Sequence, residues 1–272
     1  MSMLDSYFFI PGNKPKYLEK INSIQADYIV IDLEDAVSVN AKQIAFDMVL
    51  NLEIANNHFI RIPLLDHSFS SDQIQMIARK FQGRIVVPKI SHEEHITGIV
   101  DIVGDIAELK MIFLVEHPLA FINLPSILQK HHHLFFGIGF GSHDFCSTSG
   151  IKHTLENLEF YKRQLILYSK AYQIAFIDGV DLDLMNFDSF ERECLFAFEN
   201  GASGKFLIHP KQLEKIKAVP YFSEKELIEM NRIYAQIKDI DEKDIEVYTI
   251  DGKVYEKPHI NRIKSILQRI NN

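Results

Sequence analysis

The sequence predicts a (β/α)₈ barrel followed by a C-terminal extension of helix, hairpin and helix. Eight short apolar runs, rich in β-branched and aromatic residues, have the length of buried strands. They are YFFI (7–10), YIVI (28–31), HFIRI (58–62), RIVVPKI (84–90), MIFLV (111–115), LFFGIGF (134–140), IAFIDGV (174–180) and KFLI (205–208). Segments with helical spacing lie between them, which favours parallel strands, and eight such units fit a closed barrel. An open doubly wound sheet is the alternative, but no Gly-x-Gly-x-x-Gly motif follows an early strand.

The chain beyond Pro220 departs from this alternation, which divides the sequence into a barrel domain over residues 1–219 and an extension over residues 220–272. FSEKELIEMNRIYAQIKDI has helical spacing, and Ser223 and Glu226 near its start have the spacing of a capping box. The extension exceeds what a barrel needs, so we expect it to have a role of its own.

The rest of the extension predicts a hairpin and a last helix. EVYTIDGKVYEK is centred on Asp251-Gly252, a strong turn signal, and HINRIKSILQRI has helical spacing. Several apolar residues would form an exposed patch unless something covered them; they are Val247, Tyr248, Ile250, Val254, Tyr255, Ile260, Ile263 and Ile266. We therefore expect the extension to pack on a neighbouring subunit of a homotrimer or hexamer.

Composition excludes several classes of protein. The 272 residues are 47% hydrophobic and 24% charged, which is ordinary for a globular protein. The formal net charge of −8 and the scattered basic residues do not resemble a nucleic-acid binder. No apolar run reaches the ~18 residues of a membrane span. The first residues, MSMLDSYFFIPGNK, lack the basic start and long apolar region of a signal peptide, so we expect a cytoplasmic protein.

Cysteine and histidine usage gives little support for a zinc site. Cys146 and Cys194 provide no disulfide or zinc framework, and Cys146, which lacks the sequence context of a nucleophile, is expected to be a packing residue. The tract His131–His133 precedes a predicted strand, at the end of the barrel away from the chemistry, and we interpret it as a solvated loop.

Polar residues follow the predicted strands at their carboxyl ends, where (β/α)₈ enzymes carry their chemistry. They are Pro11-Gly12, Asp32, Glu34, Asp35, Arg61, Lys89, Glu116, Gly141, Asp144, Asp178, Asp181, Asp183 and His209. Carboxylates at this density repel one another unless a cation joins them, and Mg²⁺ takes one or two carboxylates with waters and substrate oxygens. Arg61 is suited to gripping a substrate carboxylate, and Lys89, Gly141 and His209 are predicted to contact the substrate.

Each residue alone is also consistent with a structural role. Asp35 can be a helix cap or a solvated loop residue, Arg61 can be a structural ion pair, and His209 can position backbone instead of substrate. The set is more specific than its members.

The chain resembles the family of citrate lyase beta subunits, malyl-CoA lyases and HpcH/HpaI aldolases. The matching segments are FFIPGNKPKYLEKI, DYIVIDLEDAV, IRIP, VPKI, FLVEHPLAFIN, FGIGFGSHDF, IDGV, GASGKFLIHPKQ and DGKVYEKP. They run in the family's order from residue 8 to residue 258. The resemblance implies a Mg²⁺-dependent carbon–carbon lyase that releases a 2-oxo acid and an enolate from a hydroxy acid or its acyl-CoA thioester.

The resemblance also implies roles for individual residues. Glu116 and Asp144 match the direct metal ligands, and Arg61 matches the arginine that holds the substrate carboxylate. Two further carboxylates, Glu34 and Asp35, match groups that reach the metal through water. In the C-terminal segment, Glu256 falls where the family has an aspartate that acts as an acid/base group in a neighbouring subunit's site.

Three departures from the family pattern bear on the substrate. Asp5 replaces the family's arginine before the first strand, which we expect to reverse a charge near the mouth. Pro63 replaces an asparagine, and Glu256 is one methylene longer than the family's aspartate. These changes weigh against a CoA thioester more than against the metal site, so an aldolase without CoA remains open. The alternatives are a thioester hydrolase on the same site and a degenerate barrel that serves as a non-catalytic binding subunit.

Overall fold

The computed structural model describes residues 2–63, 68–104, 106, 108–237, 247–250 and 252–271. Within these residues, eight parallel strands close into a barrel in chain order. They are β1 Asp5–Pro11, β2 Tyr28–Asp32, β3 His58–Arg61, β4 Arg84–Val87, β5 Lys110–Val115, β6 Phe135–Phe140, β7 Ala175–Asp178 and β8 Gly204–Leu207. Pairing of Asp5 with Gly204 closes β8 onto β1. The predicted (β/α)₈ barrel is confirmed, with one strand in each apolar run.

Helices follow the strands and cover the outside of the barrel. They are α1 Pro15–Leu18, α2 Lys42–Leu50, α3 Ser71–Lys80, α4 Glu93–Val103, α5 Pro118–His131, α6 Ser142–Ser149, α7 Leu155–Ala171, α8 Phe187–Glu199 and α9 Pro210–Ala218. Local chemistry fixes some of their ends: Ser70 and Gln73 form a capping box at α3, and Thr154 caps α7. Among the described helices, none is both long enough and apolar enough to cross a membrane.

The interior of the barrel is packed with side chains from alternating strand positions. This core contains Tyr7, Val30, Phe59, Val86, Ile112, Leu114, Ile177 and Phe206. Gly139 makes room for two of them, because a Cβ there would lie 2.6 Å from the Phe206 ring and against Leu114. The barrel is therefore a filled core, and a ligand site must lie at one of its ends.

A buried ion cluster ties β7 and β8 to the helices outside them. Lys205, which has no exposed surface, places Nζ 3.0 Å from Asp178 Oδ2 and 2.7 Å from Glu193 Oε2. Lys162 lies 3.0 Å from Asp178 Oδ1. Burial disfavours the charged form of Asp178, but the two lysines hold its pKa below its usual value. Asp178, predicted to lie at the mouth, is instead a buried structural residue.

We expect Lys162→Met to lower the free energy of unfolding by about 3–5 kcal/mol, because it removes one partner from a buried charge cluster. Urea unfolding followed by circular dichroism measures this change. Lys170→Met, which alters an exposed lysine on the same helix, is the matched control. Equal stability of the two variants would contradict a structural role for the cluster.

A second compact unit is formed by Ser2 and Met3 together with the described residues from Ile216 onward. It contains α10 Glu224–Ile237, the antiparallel strands β9 Val247–Ile250 and β10 Lys253–Glu256, and α11 Lys257–Asn271. The predicted order of helix, hairpin and helix is confirmed.

The predicted capping box is also confirmed. Ser223 Oγ accepts the Glu226 N–H at 3.3 Å, and Glu226 Oε2 accepts the Ser223 N–H at 2.8 Å. In the hairpin turn, Gly252 has a φ of 76°, a conformation that glycine adopts freely. Asp251, the other predicted turn residue, lies outside the described residues.

The apolar residues of the extension form a small core of their own. Ile250, Ile260 and Ile263 are buried with residues of α10, and Tyr248 and Tyr255 pack against this cluster. The hairpin and two helices therefore cover most of the set within the extension itself, and packing of the extension on a neighbouring subunit stays a prediction. Val247 and Val254 are 62% and 58% exposed.

Candidate functional site

The carboxylate of Asp32, the last residue of β2, organises the loop that follows it. Oδ1 accepts the backbone N–H of Glu34 at 2.8 Å, and Oδ2 accepts that of Ala36 at 3.0 Å. Arg61, opposite Asp32 in the register of β2 and β3, donates from Nε to Oδ1 at 2.8 Å and from Nη2 to Oδ2 at 2.6 Å. Burial opposes the charge of Arg61, but these hydrogen bonds raise its pKa above its ordinary value.

Two cations hold the next two carboxylates of this loop. Arg61 Nη1 lies 3.2 Å from Glu34 Oε2 and 3.6 Å from Asp35 Oδ2. On the other side, Lys89 Nζ lies 2.6 Å from Glu34 Oε1 and 3.7 Å from Asp35 Oδ1. The Glu34 side chain is 3% exposed and that of Asp35 is 56% exposed. Burial raises the pKa of Glu34, and Arg61 opposes the shift.

Glu116, which follows β5, is buried beside this loop. Its Oε2 accepts the backbone N–H of Lys89 at 3.0 Å, from a residue with a φ of 59° in the left-handed region. A Cβ at Gly141 would overlap Glu116 Cγ, so the absence of a side chain there gives the carboxylate its place. Burial, followed by the charge of Glu34, raises the pKa of Glu116 to about 8.

A cavity of about 420 Å³ opens at this end of the barrel. It is lined by apolar groups of Phe9, Pro11 and Phe140 and by polar groups of Asp35, Glu116 and Asp144. Asp144 lies in the first turn of α6, and its charge also raises the pKa of Glu116. The mouth gathers five carboxylates and two cations among the described residues: Asp32, Glu34, Asp35, Glu116 and Asp144 against Arg61 and Lys89.

The donor set fits a hard divalent cation. Among the described residues, no group of three or more His, Cys, Asp or Glu is placed to hold a metal ion by itself. Mg²⁺ needs fewer, because it usually takes one or two protein carboxylates and completes its shell with water and substrate oxygens. Glu116 and Asp144 line the same cavity. A cation between them would offset the burial and the neighbouring negative charges that raise the pKa of Glu116.

The IHPKQ segment makes mostly structural contacts. His209 precedes α9, and its Nδ1 accepts the backbone N–H of Lys211 at 3.2 Å. This contact agrees with the alternative that His209 positions backbone instead of substrate. Gln212 Oε1 accepts the N–H of Ile208 at 2.9 Å, and its Nε2 donates to the Asp181 carbonyl at 2.8 Å. Much of the IHPKQ motif is thereby accounted for by loop structure.

Several other residues considered in the sequence analysis are not among those that line the cavity. Glu256 ends β10 in the second compact unit and is exposed. Asp183 Oδ1 accepts the backbone N–H of Met185 at 2.9 Å, within its own loop. Cys146 is 7% exposed, and burial raises the pKa of its thiol, which agrees with a packing residue. His131 ends α5 and pairs with Glu93 at 3.3 Å, and His132 and His133 form a 3₁₀ turn before β6, so the prediction of a solvated loop for this tract is wrong.

The position of Asp5 corrects one expectation. Asp5 is the first residue of β1 and pairs with Gly204, the first residue of β8, whereas the mouth lies beyond Pro11. The strand separates Asp5 from the mouth by roughly 20 Å at ~3.3 Å per residue. The replacement at this position therefore does not reverse a charge at the mouth.

Sequence reasoning missed two features of the site. The first is the structural role of Asp32, whose side chain accepts the backbone N–H of Glu34 and so holds the turn that follows β2. Aspartate commonly forms this bond with the residue two positions later, which is the signal in the sequence. His143 stacks on His153 with ring centroids 3.9 Å apart, and His153 Nε2 lies 2.9 Å from Ser142 Oγ. No local signal in the sequence pairs residues across the loop between α6 and α7.

The fold and the mouth define a (β/α)₈ barrel protein in which Glu116 and Asp144 line one cavity and Arg61 and Lys89 lie beside the neighbouring carboxylates. The pattern of the HpcH/HpaI aldolase/citrate lyase family matches residues 5–210, and the chain belongs to that family.

Relatives in this family carry different activities. A (3S)-malyl-CoA thioesterase of Cereibacter sphaeroides is 28% identical over 97% of this chain and 93% of that protein. Citrate lyase subunit beta of Leuconostoc mesenteroides subsp. cremoris is 24% identical over 97% of this chain and 92% of that protein. CitE of Mycobacterium tuberculosis, crystallised with magnesium, acetoacetate and coenzyme A, has a TM-score of 0.81 and 18% identity with 99% of both chains covered, which shows the shared fold.

The raised pKa of Glu116 predicts a pH-dependent stability of the metal-free protein. Its usual pKa is 4.5 and its folded value is about 8. Between these values the unfolded chain binds fewer protons, so the free energy of unfolding falls as pH rises. We expect the wild type in EDTA to lose about 1–3 kcal/mol relative to Glu116→Gln between about pH 5 and about pH 8.

Chemical unfolding of both proteins across this pH range measures the difference. The control is Glu199→Gln, which removes an exposed carboxylate on α8 and should leave the pH dependence of the wild type intact. Parallel curves for wild type and Glu116→Gln would contradict the shift.

Proposed function

We propose that this protein is a Mg²⁺-dependent carbon–carbon lyase that cleaves a hydroxy acid, or its acyl-CoA thioester, into a 2-oxo acid and an enolate-derived product. The observation that carries the proposal is the buried Glu116, whose pKa is raised to about 8 by burial and by Glu34 in a cavity that also contains Asp144. A bound cation would stabilise the charged form of this carboxylate, and perturbed pKa values of this kind are typical of functional sites.

Glu116 and Asp144 are the residues that would hold Mg²⁺. Bound there, the ion supplies Lewis-acid polarisation of a substrate carbonyl. Gly141 leaves the space in which the Glu116 carboxylate lies, and the Lys89 N–H fixes one of its oxygens. These contacts hold the carboxylate in one position before substrate arrives, which limits the reorganisation needed on binding.

Arg61 and Lys89 provide the positive charge for a substrate carboxylate. Nε and Nη2 of Arg61 already donate hydrogen bonds to Asp32. Arg61 can therefore offer a substrate carboxylate its Nη1 and its positive charge, but not a two-point hydrogen bond from Nε and Nη2. Lys89 is more accessible to a substrate, because its side chain is 57% exposed. We propose that a substrate carboxylate takes over part of the bonding that Glu34 and Asp35 provide in this structure.

Proton exchange is assigned to the carboxylates of the site. Glu34 and Asp35 are proposed to hold water at the metal, and Glu256 is proposed to exchange the proton with the enolate carbon. Glu256 belongs to the extension, so its role requires that segment to reach a site. We propose that this site belongs to a neighbouring subunit.

Thioester hydrolysis on the same site is the second candidate. It is favoured by the activity named for the Cereibacter sphaeroides relative, which the chain matches over 97% of its length. In this reaction a water attacks the thioester carbonyl and the thiol leaves, without carbon–carbon cleavage. A non-catalytic binding subunit is the third candidate, against which the retained Glu116, Asp144 and Arg61 argue.

Product analysis tests the proposal. The protein is incubated with Mg²⁺ and a panel of citrate, malyl-CoA and citramalyl-CoA, and both 2-oxo acid and free thiol are measured. A lyase releases the 2-oxo acid with the thioester intact, whereas a hydrolase releases free thiol and the intact hydroxy acid. Release of thiol without any 2-oxo acid would overturn the lyase assignment.

Matched variants connect this activity to the cavity. Glu116→Gln and Asp144→Asn should abolish turnover and weaken Mg²⁺ binding measured by calorimetry, because each removes a charged oxygen ligand at nearly constant volume. Glu199→Gln, an exposed change on α8, should behave as the wild type. Unchanged Mg²⁺ affinity in both site variants would rule out the ligand assignment.

Subunit mixing tests the shared site. Glu116→Gln and Glu256→Gln are each expected to be inactive, and dissociation and reassembly of a mixture should restore part of the activity, because some interfaces then combine two intact halves. If each chain carries a whole site, every site keeps one lesion and the mixture stays inactive. A monomer by light scattering at micromolar concentration would also contradict the proposal.

A further inference from the structure

A second cavity, of about 780 Å³, lies at the amino-terminal end of the barrel, opposite the candidate active site. Its walls include the first residues of three strands, Tyr28, Arg84 and Lys110. Phe59 and Phe136 lie one position further along their own strands. The proposed lyase reaction uses none of these residues. The volume falls within the range of small-molecule sites, roughly 300–1,000 Å³.

The described residues that line this cavity carry a net positive charge, although the whole chain has a formal net charge of −8. Its described lining contains three cations, Arg79, Arg84 and Lys110, and one carboxylate, Glu108. Glu108 Oε2 lies 3.2 Å from Lys110 Nζ, so this carboxylate is already matched with one of the three. A cleft lined by one sign of charge concentrates ligands of the opposite sign.

Arg84 is the least expected of these cations because it is only 7% exposed. Its Nε donates to the His58 carbonyl at 3.1 Å, its Nη1 to Gln82 Oε1 at 3.1 Å, and its Nη2 to the Ala55 carbonyl at 3.4 Å. All three acceptors are neutral, and no described carboxylate lies within ion-pair distance of this guanidinium. Buried charges are normally paired, and burial lowers the pKa of Arg84.

Aromatic rings line the cavity beside these cations and are inclined to one another by 67°, 66° and 54°. The ring of Tyr28 lies 5.9 Å from that of Phe59 and 5.6 Å from that of Phe136 between centroids. Phe59 and Phe136 are 5.1 Å apart. Tyr28 and Phe136 are only partly buried, so part of this aromatic surface is accessible from the cavity. Aromatic faces next to basic groups bind planar rings that carry an anion.

We propose that this cavity binds a nucleotide. Arg79, Arg84 and Lys110 contact the phosphate, which gives Arg84 an anionic partner that no described carboxylate provides. The base stacks on the ring of Phe136 and meets Tyr28 edge-on, because these two rings are inclined by 66° and Tyr28 already stacks on Tyr7. The site is separate from the cation site at the carboxyl end of the barrel, so its occupancy does not depend on the proposed lyase reaction.

Calorimetry with the full chain in EDTA tests the proposal, using AMP, adenosine and inorganic phosphate as probes. We expect saturable binding of one AMP per chain. Adenosine and inorganic phosphate should each bind at least about ten-fold more weakly, the loss expected when one charged hydrogen bond or the stacking of the base is missing. No saturable AMP binding would overturn the proposal, and phosphate binding as tight as AMP would overturn the nucleotide assignment.

Variants locate the binding. Arg79→Ala, at an exposed residue whose loss should leave the fold intact, is expected to weaken AMP binding by about ten-fold. Arg84→Lys should also weaken it, because the lysine loses the planar fork. Arg192→Ala, at an exposed arginine on α8, and Glu116→Gln should bind AMP as the wild type does. Full affinity in Arg79→Ala, or loss of AMP binding in Glu116→Gln, would contradict this location.

Discussion

The two-point ion pair between Asp32 and Arg61 is the contact on which the rest of the mouth depends. Asp32 accepts two backbone N–H groups of its own loop and two guanidinium N–H groups of the next strand. One carboxylate thereby fixes the backbone of the DLEDAV segment and the orientation of Arg61. The third guanidinium nitrogen then faces Glu34 and Asp35, so the positions of these carboxylates follow from the same pair.

Buried charges are balanced in one part of the barrel and unbalanced in another. Around Asp178 and Glu193, Lys162 and Lys205 balance two carboxylates with two ammonium groups, and the cluster is a closed structural unit. Among the described residues of the mouth, carboxylates outnumber cations, and the pKa of Glu116 rises to about 8 because burial and Glu34 disfavour its charge. An excess of buried negative charge lowers the free energy of unfolding unless a cation balances it. This difference is why the mouth, and not the closed cluster, is the candidate site.

Several local patterns in the sequence correspond closely to the structure. The eight apolar runs became eight strands because strands buried on both faces need continuous apolar sequence. The Ser223–Glu226 capping box also formed, since it depends on residues three apart. The sequence does not show what covers the apolar residues of the extension, because an exposed patch and a small core have the same apolar residues. Only the packing of α10 and α11 against the hairpin distinguishes them.

The sequence by itself determined the barrel, the order of its elements and the residue types at the carboxyl ends of the strands, since periodicity and turn chemistry are local. Tertiary structure decided how those side chains are used. The register of β2 against β3 pairs Asp32 with Arg61, so two guanidinium donors are already engaged. Closure of the barrel places Asp178 in a buried cluster and Asp5 at the far end. Such roles depend on contacts between residues distant in the chain, which no local pattern encodes.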